Sequence, residues 1–204
     1  MNNPKKDPAK LTLFALVWPI FIESLLRILF GNVDTFMLSA YSDNSVAGVG
    51  AANQFVSIII LMFQVVSSGC TIIISQYLGA ENKKRASDVA LVSIGFNMVL
   101  GIITSIFMFV FSGSILKIMN FEQDIYNYSK EFLTIIGSFS FIQALSITVS
   151  AILRSYGLVR YPMYVNMGAN ILNIFGNSIF IYGLFGVPVL GVRGVAIATV
   201  ASQL

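Results

Sequence analysis

The chain alternates apolar runs too long for an ordinary soluble core helix with short connections that hold most of its charge. Apolar character continues from residue 11 to about residue 38, then over approximately 46–77, 89–111, 132–153 and 163–185. A last run begins near residue 191 and is still apolar at Leu204. A helix rises 1.5 Å per residue, so about 20 residues cross the roughly 30 Å hydrocarbon core of a bilayer. Backbone groups in lipid must be satisfied within the spanning structure, which leaves helices and closed barrels. Barrel strands are alternating segments of about 10 residues, and these runs are longer and do not alternate. The expected fold is therefore all-α: a polytopic membrane helix bundle with five complete transmembrane helices plus a truncated sixth, over residues 11–204, behind a polar tail at 1–10.

Composition removes other classes. Of 204 residues, 56% are hydrophobic and 10% charged, against about 25% charged in soluble domains. Cys70 is the single cysteine and has no partner in the chain, so no intrachain disulfide framework exists. The chain has no histidine. That removes imidazole as base, proton relay or zinc ligand, and with it most hydrolase and metal-site chemistry; no enzyme activity and no cofactor are expected. A net charge of +3 is too small for a nucleic-acid footprint, so the expected surroundings are a lipid bilayer.

The tail MNNPKKDPAK does not read as a cleavable signal, whose apolar region would end after 7–15 residues. Lys5, Lys6, Lys10, Lys83, Lys84, Arg85, Arg154 and Arg160 fall on one face of the expected topology. Lys117, Lys130 and Arg193 fall on the other, with Arg27 inside a span. Eight against three puts the N-terminus in the cytosol by the positive-inside bias.

The first run holds Glu23, Arg27 and Asp34 at i, i+4 and i+11, within about 40° around a helix. A charge at the bilayer centre costs about 2.5–3.5 kcal/mol on insertion scales, so such residues face a bundle interior or a water-filled cavity. Glu23 and Arg27, one turn apart, form a self-neutralising structural pair on this reading. Asp34 lies two turns from that cation. It reads either as a wetted helix-end residue or as a carboxylate that exchanges a proton or binds Na⁺. The fifth run carries Asn166, Asn170, Asn173 and Asn177 on one face, able to bond neighbouring helices or to solvate an ion. The second run has a weaker polar line, Gln64, Ser68, Thr71 and Ser75, read as close helix packing. Pro19 removes a helix hydrogen bond one turn before Glu23, which makes it a hinge or a static bend.

Four segments carry a resemblance: WPIFIESLLRILFGNVDTFMLS, ISQYLGAENKKRA, AILRSYGLVRYPM and NIFGNSIFIYGLFGVPVLGVRGVAIATVAS. In their order and spacing the chain resembles the N-terminal lobe of a multidrug and toxic compound extrusion (MATE) transporter, over nearly its whole length. The resemblance implies two six-helix lobes around a central cavity, the second lobe missing here, in the cell membrane. It implies a secondary active antiporter that expels organic, cationic drugs in exchange for Na⁺ or H⁺. It makes Asp34 the ion or proton site of the lobe, with Asn173, Asn177 and Thr199 as polar partners and Pro19 as hinge. Some members have aspartate at the position of Asn177, which leaves Asp34 as the main titratable group and the choice of Na⁺ or H⁺ open. Two alternatives stand beside it: a flippase for lipid-linked oligosaccharides, and an inactive transporter fragment. The interior charge, Glu23 and Asp34 against Arg27, suits cationic cargo better than an anionic lipid headgroup.

Overall fold

The computed structural model describes residues 13–204, and of residues 13–16, Arg27 and Phe185 the backbone alone. The expected tail at 1–10 lies outside the described residues. Among these residues there are seven α-helices and no strand: α1 (Leu13–Ser39), α2 (Asp43–Gly79), α3 (Lys83–Lys117), α4 (Gln123–Ser138), α5 (Ser140–Ser155), α6 (Arg160–Tyr182) and α7 (Val192–Ser202). A short 3₁₀ turn, Leu184–Gly186, joins the last two. The all-α expectation matches this architecture. The expected helix count does not, because the fourth apolar run is two helices with a bend of 54° between them. By length and apolarity α2 and α3 each qualify as a membrane span, and the bent pair α4 and α5 adds a third.

The break at Phe139 needs no proline. Ser140 Oγ donates to Gly137 O at 2.7 Å, a local bond of the kind that competes with the helix ladder. The backbone N–H of Phe141 finds Ser105 Oγ on α3 at 3.1 Å. A broken helix survives at membrane depth only where neighbouring protein satisfies the freed groups, and α3 does so here. By contrast α1 runs through Pro19 as one helix.

The long helix α3 turns polar residues inward and apolar ones outward. On α3, Ser93, Asn97, Gly101, Thr104, Ser105 and Ser112 are buried, while Leu91, Val92, Phe96, Ile103, Ile106 and Phe109 are exposed. That is the reverse of a soluble amphipathic helix and fits a bundle in lipid, where interhelical hydrogen bonds and small residues hold helices together. Asn97 shows how: its Nδ2 donates to Ser67 Oγ on α2 at 2.9 Å and to Thr148 Oγ1 on α5 at 2.6 Å. Thr148 Oγ1 in turn donates a hydrogen bond to Ala144 O at 2.7 Å. Three helices meet in this knot, all three side chains almost wholly buried. One turn further along, a Cβ on Gly101 would stand 2.7 Å from Phe141 Cα, so α3 and α5 touch there through backbone. These contacts leave α1, α6 and α7 as a second group, with α1 packed mainly on α6 and α6 on α7.

Gly101→Leu should lower the thermal unfolding midpoint of detergent-purified protein by the equivalent of about 1–3 kcal/mol through overpacking. Gly95→Leu, where a Cβ meets nothing within 4 Å, should leave it unchanged. Equal losses at both positions would contradict the packing.

Candidate functional site

Between the two helix groups lies a cavity of about 660 Å³ walled by α1, α2, α5, α6 and α7. Glu23, Asp34 and Arg154 are the charged groups among its described lining residues. Apolar helices pack without gaps when their faces match. A polar cavity therefore forms where facing helices present amides, hydroxyls and charges too large and too strongly hydrated to interdigitate.

Asp34 is half-buried on the α1 wall. Asn177 Nδ2 donates to its Oδ1 at 2.9 Å and to Asn173 Oδ1 at 3.1 Å. Asn173 Nδ2 in turn reaches Thr199 Oγ1 on α7 at 3.1 Å, and that hydroxyl donates to Val195 O at 2.8 Å. With the Asn173 amide turned over, its nitrogen faces Asp34 Oδ1 and Oδ2 at 3.0 and 3.1 Å and its oxygen faces Thr199. Either orientation keeps the same four residues together. Asn177 Oδ1, fully buried, has no hydrogen-bond partner among the described residues. The carboxylate is thus faced by amide N–H donors, from Asn177 and, with its amide turned over, from Asn173, with the Thr199 hydroxyl behind them. Among the described residues no group of three or more His, Cys, Asp or Glu is placed to hold a metal ion.

Small residues permit this meeting. A Cβ on Gly176 would lie 2.8 Å from Ala198 Cβ. Gly176 sits between Asn173 and Asn177, and Ala198 precedes Thr199, so backbone approach of α6 to α7 brings the three polar side chains within bonding distance.

Glu23 makes a second centre. It is 5% exposed and accepts both short contacts from Arg154 Nη2, at 2.7 and 2.9 Å. Asn166 Nδ2 donates to its Oε1 at 2.7 Å. The side chain of Arg27 lies outside the described residues, and with it the expected pair between Glu23 and Arg27. Arg154 corrects the reading that placed it in a cytosolic connection: it is in the last turn of α5, with its guanidinium on a buried acid. The reason is electrostatic, since a carboxylate this deeply buried requires paired charge and hydrogen bonds. The signal available in the sequence was Glu23 itself.

The structure separates the other expected residues. Of the asparagine stripe, Asn166, Asn173 and Asn177 bond other helices, while Asn170 Nδ2 bonds Asn166 O of its own helix at 2.8 Å. On α2 the expected packing line differs: Gln64, Ser68 and Thr71 line the cavity, and Ser67, one position away, does the packing through Asn97 and Thr148. Pro19 is buried within α1. Gln143, Ser146 and Ser150 on α5 complete the polar wall, and the sequence reading did not single them out.

Comparison with known proteins follows the same lines. A family model described as MatE matches residues 19–179. The uncharacterized transporter YisQ of Bacillus subtilis (strain 168) is 51% identical over 196 residues, 95% of this chain and 43% of that protein. The probable multidrug resistance protein NorM of Thermotoga maritima is 34% identical over 202 residues, 98% of this chain and 44% of that protein. The chain therefore spans less than half the length of these curated relatives. A solved MOP superfamily transporter from Pyrococcus furiosus superposes with a TM-score of 0.86 at 27% identity, covering 98% of this chain and 43% of its own. Its binding pocket is described as reversed in polarity, suggesting a different function; cavity charge therefore has to be read from each chain's own residues.

Asn177→Leu removes a donor to Asp34 and should destabilise the purified protein by about 1–3 kcal/mol, the cost of stranding a buried polar partner. An unchanged thermal midpoint would contradict the bond between Asn177 and Asp34.

Proposed function

The chain belongs to the MatE family, and on that premise we propose that it is the N-terminal lobe of a secondary active antiporter that expels organic cations in exchange for Na⁺ or H⁺. Its relatives are named as transporters, and its apolar helices make it a multi-pass membrane protein. The reading further assigns it to the cell membrane with a cytosolic N-terminus, supported by the bias of Lys and Arg toward one set of connections.

The observation that carries this function is Asp34 on the wall of the cavity, bonded to Asn177 at 2.9 Å. A carboxylate at that depth is costly when charged and uncompensated. Its amide neighbours lower the cost without cancelling the charge, so it has a use for one H⁺ or one Na⁺. Asn173, Asn177 and Thr199 are the polar partners of that site. The described lining groups, Glu23 and Asp34 against Arg154, carry one net negative charge, which attracts a cationic drug when Asp34 is ionised and loses that attraction when Asp34 is filled. Ion and drug thus favour different states of the same cavity, which is what exchange requires. Pro19, lacking the backbone N–H that would secure its turn, is the point at which α1 bends as those states interchange. The second lobe, of similar size by the relatives' lengths, closes the other side of the pathway.

In cells expressing the full-length gene product, Asp34→Asn should abolish ion-coupled ethidium efflux while membrane insertion and protein level stay at wild type. Wild-type efflux in that variant would contradict the role of Asp34.

A further inference from the structure

Glu23 and Asp34 stand 11 residues apart on α1, and Asn166 and Asn177 stand 11 residues apart on α6. Glu23 accepts from Asn166 and Asp34 from Asn177, so both contacts join residues 143 apart in the chain. Two contacts at one offset mean that α1 and α6 run parallel in a single register over three helical turns, about 16 Å. Apolar contacts alone define such a register poorly, because a slide of one turn replaces one aliphatic side chain by another.

The polar rungs remove that freedom. A slide of four residues in one direction puts Glu23 opposite Asn170 but Asp34 opposite Ile181. The opposite slide puts Asp34 opposite Asn173 but Glu23 opposite Pro162. In either case one acid loses its amide, and Glu23 also leaves the Arg154 guanidinium that α5 presents to it at 2.7 Å. Only the observed offset satisfies both acids at once.

We propose that Glu23, Arg154 and Asn166 are positioning residues of the ion site. They pin α1 to α5 and α6 and so hold Asp34 at the height of Asn173 and Asn177, without themselves touching the ion. This rests on the reading of Asp34 as the coupling carboxylate. The anchor lies one turn after Pro19, so a bend of α1 there that displaces Asp34 must first release Glu23. The ion pair thereby couples the cavity end near Arg154 to the occupancy of Asp34.

The test is ethidium efflux by the full-length gene product in proteoliposomes, measured against the concentration of Na⁺ and, separately, of H⁺. Glu23→Arg and Arg154→Glu should each raise the half-saturating ion concentration by about 10- to 100-fold, the range for losing a group that orients a ligand. The double exchange should return it toward wild type, since Asn166 can turn its amide to accept from an arginine. Asn166→Leu keeps the ion pair and should give a smaller shift in the same direction, which decides the matter if the single charge reversals fail to fold. A well-folded Asn166→Leu protein with a wild-type titration, or a double exchange no better than the singles, would overturn the proposal. Asp34→Asn runs alongside. If it keeps a normal ion titration, the ion-site reading fails; if it is inactive while the anchor variants titrate as wild type, only the positioning role fails.

Discussion

Two carboxylates on one helix, in a bundle whose outer surface is hydrocarbon, set the terms for everything around them. Water cannot solvate Glu23 and Asp34 from outside, so donors from other helices must. Glu23 draws in Arg154 from α5 and Asn166 from α6; Asp34 draws in Asn177, with Asn173 and Thr199 behind it. Four helices, α1, α5, α6 and α7, thus converge on one polar cavity around the two acids and their partners.

The remainder of the molecule obeys the same constraint in weaker form. With lipid outside, apolar burial supplies little drive for helix association, and small residues with interhelical hydrogen bonds take its place. Asn97 ties α2, α3 and α5; Ser105 caps the break in the fourth run; Gly101 and Gly176 let backbones meet. The first of these contacts ties together the helices behind the cavity. The last brings Thr199 to Asn173.

Much of this was legible in the residues. Apolar run length specified helices in a membrane, and the i, i+4, i+7, i+11 spacing of the asparagines placed them on one face of α6. The VDT aspartate and its family resemblance singled out Asp34, and the structure brings Asn173, Asn177 and Thr199 beside it. Three things stayed hidden. The break at Phe139 lies in an apolar run without proline, and depends on Ser105 from a distant part of the chain. Arg154 ends an apolar run and so counts as a loop charge until Glu23 is seen to require it. The α2 polar line was assigned to packing because hydroxyls serve both purposes, and only three-dimensional neighbours distinguish Ser67, buried against Asn97, from Ser68, facing the cavity.

The central claim is that one carboxylate is shared in time between a coupling ion and a cationic drug. Equilibrium binding of a lipophilic cation such as tetraphenylphosphonium to the purified full-length gene product, titrated against Na⁺ and against H⁺, tests it most directly. The account predicts that the cation's affinity falls as the coupling ion rises, and that replacing Asp34 by asparagine flattens this dependence. An affinity indifferent to both ions in the wild-type protein, or an unaltered competition without the Asp34 carboxylate, would contradict it.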